Sequence, residues 1–365
     1  MSFFESLIAE NAWPGATAAV VPTGQAELAV AAGFADREAG RAMDARDRML
    51  AGSVGKTFAA VAAMMLVEDG RIGLDEPITQ FSGQLPFIAS LPNVEKLTLR
   101  LVLAHRTGLA NYVNVDDWRA RWHEKIARNP DYAQSIEDGI RIAAEAGPVC
   151  APATETRYAD TNYLILGRLI EAASGEEYYA FLERRVLEPL GLRSTSPQIA
   201  RHVPGLVPGY LREALTPVLG PKSIGADGLL IYNPSWEYCG GGLVSTSADL
   251  ARFMWALFSG RLLSAACLGE MLTAWPMEYA LENHRYGLGV QRFESEMGPA
   301  YGHTGQFTGY RSVAFYFQRS TMTVAMQVNA DAENLLPTFL KLARFIHANG
   351  VAGLAADGAA EVELM

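Results

Sequence analysis

Ser53 and Lys56 stand three positions apart in the run Leu50-Ala-Gly-Ser-Val-Gly-Lys-Thr57, where a long apolar stretch begins. On a helix that spacing puts both side chains on one face, a turn apart. The pair is a hydroxyl nucleophile beside an amine, and a serine hydroxyl attacks poorly until a neighbour takes its proton. The helix start adds unpaired backbone N–H groups and a positive dipole end, which favour anionic species near Ser53. Two other readings of the same letters fail on spacing. Gly55-Lys56-Thr57 ends like a phosphate-binding loop, but Leu50 stands where its first glycine is required. The Gly-x-Ser-x-Gly nucleophile elbow fails because Ala51 takes the first glycine position. Taken alone, Ser-x-x-Lys also arises by chance, with Gly52-Ser53 as a loop and helix cap.

The elements that would hold this pair follow from periodicity. Residues 16–21 and 26–34 flank Pro22-Thr23-Gly24-Gln25 and read as a hairpin of small-residue strands. A helix over 54–69 follows, stopped by Gly70. The segments Thr98 to Ala104 and Tyr163 to Ala173 are amphipathic, the second ending at Gly175. Ser247 opens a further helix to Phe258 as its cap. Beyond residue 285 the period changes to two: Tyr286 to Phe293, Arg311 to Gln318 and Thr321 to Asn329 read as strands. A last helix, Leu335 to Asn349, precedes an Ala/Gly-rich stretch. The pattern predicts an α/β protein of the α+β kind, with one antiparallel sheet built from both ends of the chain, flanked by helices, and an inserted all-helical lobe. The expected division is a sheet domain over 1–72 and 241–350, a mainly helical lobe over 73–240, and a flexible tail over 351–365.

Composition narrows the function. A formal charge of −10 on 365 residues argues against nucleic acid, which attracts clustered Lys and Arg. No apolar run approaches the length of a membrane span. The N-terminus carries Glu5 and no basic region, so it does not read as a signal peptide. Cys150, Cys239 and Cys267 form no Cys-x-x-Cys pair and suit a reducing compartment, which makes the cytoplasm the expected location. His123-Glu124 begins like a zinc-protease helix, but Ala127 stands where the second histidine belongs. The remaining histidines (105, 202, 284, 303 and 347) are scattered, so no metal and no cofactor is expected.

Three short stretches share a chemical theme: Ser53-Val-Gly-Lys56, Tyr158-Ala159-Asp160 before a helix over 161–174, and His303-Thr304-Gly305 between two expected strands. Their order and separations resemble the serine β-lactamase and penicillin-binding-protein superfamily, in its class C β-lactamase, DD-peptidase and esterase branch. That family carries Ser-x-x-Lys, Tyr-x-Asn and Lys-Thr-Gly or His-Thr-Gly in this order. Leu101-Val-Leu-Ala-His105-Arg-Thr-Gly-Leu109 and Gly240-Gly-Gly-Leu-Val-Ser-Thr-Ser-Ala-Asp249 also look like framework segments of the family. The likeness runs from about residue 10 to 345.

The resemblance implies a site between the sheet and the helical lobe. Ser53 would be the acylated nucleophile, with Lys56 and Tyr158 sharing the proton as a coupled pair. Backbone N–H groups of Ser53 and Gln306 would form the oxyanion hole, and Asp160, His303, Thr304 and Gly305 would meet substrate. Gly305 and Gly309 would let the backbone come close to it. His303 stands where many relatives have lysine. It is either a pH-dependent anchor for a substrate carboxylate or a hydrogen-bond partner of Tyr158 or substrate. Asp160 replaces the usual asparagine and can only accept when ionised. It either pairs with Lys56, caps the following helix, or does both. His105 reads as structural, tying its helix end to a neighbouring loop.

The expected activity is a serine hydrolase acting through an acyl-enzyme on a small ester or amide, an esterase first. The alternatives are a β-lactamase or D-amino-acid or DD-carboxypeptidase, and, in another class, a non-catalytic binding protein on the same fold.

Overall fold

Runs of small and β-branched residues build the centre of the molecule. In the computed structural model, which describes residues 1–24, 26–277, 283–333 and 335–355, strand Gly15–Pro22 lies between Leu28–Asp36 and Met322–Val328. Outward from Met322–Val328 come Tyr310–Phe317, Gly298–Phe307 and Gln291–Ser295, all antiparallel. Two-residue strands at Arg41–Ala42, Arg285–Tyr286 and Trp275–Pro276 complete a nine-stranded sheet. The first and last thirds of the sequence thus meet at one register, with Thr17 opposite Gln327.

Both faces of this sheet are covered, so its central strands are buried on both sides. Ala18, Val20, Val324 and Met326 face the N-terminal helix Phe3–Glu10 and the C-terminal helix Leu336–Ala355, packing on Leu7, Phe339 and Leu342. The opposite face is lined by small residues such as Ala19 and Ala325. That lets helix Ser247–Phe258 approach closely enough for Thr17 and Ser247 hydroxyls to bond at 2.8 Å. Against it lies helix Gly55–Glu68, whose residues from Gly55 through Leu66 are all buried. A helix apolar on every side is an internal helix. Between residues 73 and 240 the regular elements are helices and 3₁₀ turns, apart from the two-residue strand Ser196–Pro197. That strand belongs to a small second sheet with Met49–Leu50 and Leu243–Ser245.

Several boundaries differ from the sequence expectation. His303-Thr304-Gly305 does not connect two strands; it lies inside one, Gly298–Phe307. The run is rich in glycine and carries a proline, which hides its period-two pattern. The helix at 247–258 is capped by Thr246, whose extended backbone lets its hydroxyl accept from Asp249 N–H; Ser247 is its first residue. The N-terminal helix is an addition, and its signal is a capping box between Ser2 and Glu5. Residues 350–355 continue the last helix beyond a break at Gly350 (φ 71°) rather than forming a loose tail. The rest of that expected tail, and Gln25 of the first turn, lie outside the described residues. No helix among the described residues is long and apolar enough to cross a membrane.

Phe339 is fully buried between the rings of Phe315 and Phe317, on the sheet face away from Ser53. Phe339→Ala is expected to cost about 3–5 kcal/mol in urea unfolding, the usual range for a buried aromatic removed from a core. A loss below about 1 kcal/mol would show that the C-terminal helix contributes little to this layer.

Candidate active site

Ser53 is presented by backbone geometry before any side chain acts. It occupies the middle of a 3₁₀ turn, Gly52–Val54, that runs straight into helix Gly55–Glu68. Gly52 has φ +52°, and a Cβ there would stand 2.7 Å from Gln306 N. Both facts require glycine. They also show that the backbone of Gln306 lies directly against the turn that carries Ser53. Gly305 is constrained in the same way, since a Cβ there would stand 2.0 Å from the Ala51 carbonyl. Its close approach is therefore to the protein's own backbone, and the expectation that it meets substrate is corrected. Gly309 likewise meets Gly209, not a ligand site.

Lys56 follows one helical turn on and is fully buried. Its Nζ lies 3.1 Å from Ser53 Oγ and 2.6 Å from Asp160 Oδ1, and it also donates to the Gly240 carbonyl. Three acceptors match the three N–H bonds of an ammonium, which has no lone pair. In this arrangement Ser53 Oγ accepts from lysine, leaving the hydroxyl proton to be directed elsewhere.

Asp160 is the first residue of helix Asp160–Ser174, behind Ala159 at the cap position. Its carboxylate does not cap that helix, because the ion pair with Lys56 draws it away. Asn111 braces it, accepting from Asp160 N–H at 3.1 Å and donating to its carboxylate at 3.4 Å. Nothing in the sequence around Asn111 signals that contact.

Tyr158 ends up over the ammonium, its ring centroid 5.0 Å from Lys56 Nζ. The His105 ring packs beside it, tilted by 37° with centroids 4.2 Å apart, and accepts from Ala159 N–H at 3.2 Å. Burial above all, then the Lys56 charge, pushes His105 well below its ordinary pKa, so it is a neutral brace.

His303 departs from expectation. It is buried, with Nε2 2.9 Å from the Tyr286 hydroxyl and Nδ1 2.6 Å from the Thr304 carbonyl. Only an N–H can bond that carbonyl, so Nδ1 carries the proton and Nε2 accepts from Tyr286. Burial above all pushes its pKa down to about 3. With both ring nitrogens engaged, it is neither a charged carboxylate anchor nor a hydrogen-bond partner for Tyr158 or substrate. Thr304 beside it does reach the cavity, with its hydroxyl 3.1 Å from Gln291 Nε2.

Ser53, Tyr158, Asp160, Thr304 and Gln306 line one cavity of about 310 Å³. Its other wall is aromatic: Trp118, Trp122, Tyr232, Trp236 and Phe307. Trp118 and Trp122 lie on helix Trp118–Arg128, His123 is beside them, and Trp236 precedes Glu237. Sequence reasoning missed this wall entirely, and missed Glu237, whose carboxyl enters the same space. Burial and then the Asp160 charge push Glu237 up to about 8, against the opposing pull of Lys56. Two carboxyl groups, Asp160 and Glu237, thus line the cavity, with the buried amine of Lys56 behind Asp160.

The signature of the family described as Beta-lactamase matches residues 2–348. The chain belongs to that family, whose members are serine hydrolases. Penicillin-binding protein 4 of Amycolatopsis lactamdurans is 28% identical over 351 residues, 89% of this chain and 83% of that protein. Esterase EstB of Burkholderia gladioli is 28% identical over 191 residues, 52% of this chain and 48% of the esterase. Among solved structures, a D-stereospecific amidohydrolase from Streptomyces sp. superposes with TM-score 0.78 at 27% identity, over 93% of this chain and 95% of that one.

Two outcomes test this geometry. Gly52→Ala should cost about 1–3 kcal/mol from its left-handed backbone alone and displace Ser53, a change readable by thermal unfolding and active-site labelling. Glu237 holds its proton more tightly folded than unfolded, so the folded state loses stability as pH rises from about 4.5 toward 8. Across that window the wild-type melting temperature should fall relative to Glu237→Gln; parallel curves would show an ordinary carboxyl.

Proposed function

We propose that this protein is a serine esterase, cleaving small acyl esters through an acyl-enzyme on Ser53. One observation carries the reading: Ser53 Oγ receives a hydrogen bond from a fully buried lysine, at the floor of an aromatic cavity that Tyr158 also lines. Ser53 Oγ attacks the ester carbonyl carbon and its proton passes to the Tyr158 oxygen, which acts as the general base. Tyr158 then gives that proton to the departing alcohol oxygen as the tetrahedral carbon collapses. Water repeats the sequence in reverse roles and releases the acid. The Lys56 ammonium, 5.0 Å from the Tyr158 ring centroid, balances the negative charge that this sequence moves between oxygens. Backbone N–H groups of Ser53 and Gln306 serve as the oxyanion donors, each worth about 3 kcal/mol in such sites.

Esters are favoured over amides and β-lactams on two grounds. Asp160, ion-paired to Lys56, accepts hydrogen bonds and has none to give to an acyl-amide carbonyl. His303 is buried and neutral, which removes the cation that would hold a substrate carboxylate at that strand.

Ser53→Ala should lower kcat on p-nitrophenyl butyrate by about 10³-fold or more, and a fluorophosphonate adduct should map to Ser53 by mass spectrometry. Undiminished turnover in the variant would end the assignment. Asp160→Asn should raise nitrocefin hydrolysis relative to ester hydrolysis, and an unchanged ratio would remove Asp160 from substrate selection.

A further inference from the structure

We infer that Glu237 is the recognition point for a positively charged amine carried by the acyl part of the substrate. The inference rests on the hydrolase reading only for the word acyl; the cation site itself is argued from charge and contact.

Two acids line the cavity near Ser53, and one buried cation lies behind them. Lys56 is matched by Asp160 at 2.6 Å. Glu237 is the remaining acid, and among the described residues its carboxyl makes no ion pair and no hydrogen bond. Asp331, the other acid on the cavity wall, is different: it is paired with Arg311 at 2.8 Å and accepts from Gly309 N–H at 3.1 Å. Glu237 is half-buried in the cavity wall, and among the described residues its carboxyl has no protein partner to offset the hydration it gives up. Its proton affinity is raised for that reason. A ligand cation would remove the penalty, the carboxyl giving its proton to water as the ammonium arrives.

Position fixes where on the substrate the cation must be. A Cβ on Gly240 would stand 3.7 Å from Glu237 Oε2, 3.8 Å from Lys56 Nζ and 3.9 Å from Asp160 Oδ1. A Cβ on Gly241 would stand 3.1 Å from the same glutamate oxygen and 2.6 Å from the Gly52 carbonyl carbon. The free carboxyl is therefore one residue's width from the turn that bears the nucleophile. An amine meeting it belongs on the first carbons of the acyl chain, as in an aminoacyl ester.

The wall agrees in chemistry. Trp236, next in sequence, lies with its ring centroid 5.9 Å from Trp118 and 5.7 Å from Trp122. Indole faces attract ammonium groups, most strongly where water is excluded. The exposed side chains of Arg119 and Arg212 also border the cavity and repel a cation there, which leaves the Glu237 end for the amine.

The test needs no turnover. In the Ser53→Ala protein, tryptophan fluorescence near pH 8 gives affinities for 2-phenylethylamine and for its neutral counterpart 2-phenylethanol. The amine should bind about tenfold tighter or more, the scale of one charged hydrogen bond, and Glu237→Gln should abolish that preference. Glu237→Asp should retain part of it. Equal binding of amine and alcohol, or a preference that survives in Glu237→Gln, would overturn the inference. Failure of the hydrolase reading shows instead as ester turnover indifferent to Ser53, a result this binding comparison does not touch. In the active enzyme, the ratio of kcat/KM for a phenylalanine ester to that for its deaminated 3-phenylpropionate analogue should fall about tenfold in Glu237→Gln. An unchanged ratio would also count against it.

Discussion

The structure depends on keeping one ammonium group out of water. Lys56 is buried in a helix with no polar face, where an unmatched charge would cost several kcal/mol. Its three acceptors come from three separated parts of the chain: Ser53 one turn back, Asp160 at the head of another helix, and the Gly240 carbonyl in a glycine run. Each must be in place for the others to be tolerable. Removing one partner would leave charge uncompensated, so folding and assembly of the site are the same event.

Glycines make that convergence possible. Gly52 allows the turn to touch the Gln306 backbone, Gly305 allows the strand to touch Ala51, and Gly241 allows its loop to touch Gly52. Three backbone segments thus pack without side chains between them, behind a single serine. Side-chain chemistry is arranged around this contact, with Tyr158 held by His105 on one side and aromatic residues enclosing the other.

The resulting charge distribution separates this site from a simple Ser–Lys pair. Asp160 holds the lysine, His303 is withdrawn into a bond with Tyr286, and Glu237 adds an acid with no ion-pair partner among the described residues. In the proposed esterase the first arrangement serves acyl transfer, and the other two would decide which charges a substrate must bring.

Much of this was legible in the residues. Small-residue runs around a turn near the N-terminus and period-two runs beyond residue 285 marked strands of the sheet, an apolar stretch after Ser53 marked the internal helix, and three spaced motifs named Ser53, Lys56, Tyr158 and Asp160 as candidates. These signals are local: spacing on a helix, alternation on a strand and capping are set by neighbours a few residues away. What the sequence could not state was distance across the fold. That Asp160 turns from its helix cap to Lys56, that His303 faces inward to Tyr286, and that Trp118, Trp236 and Glu237 share a cavity with Ser53 are outcomes of packing. They involve partners far apart in sequence, whose energies exist only once burial has removed water from between them.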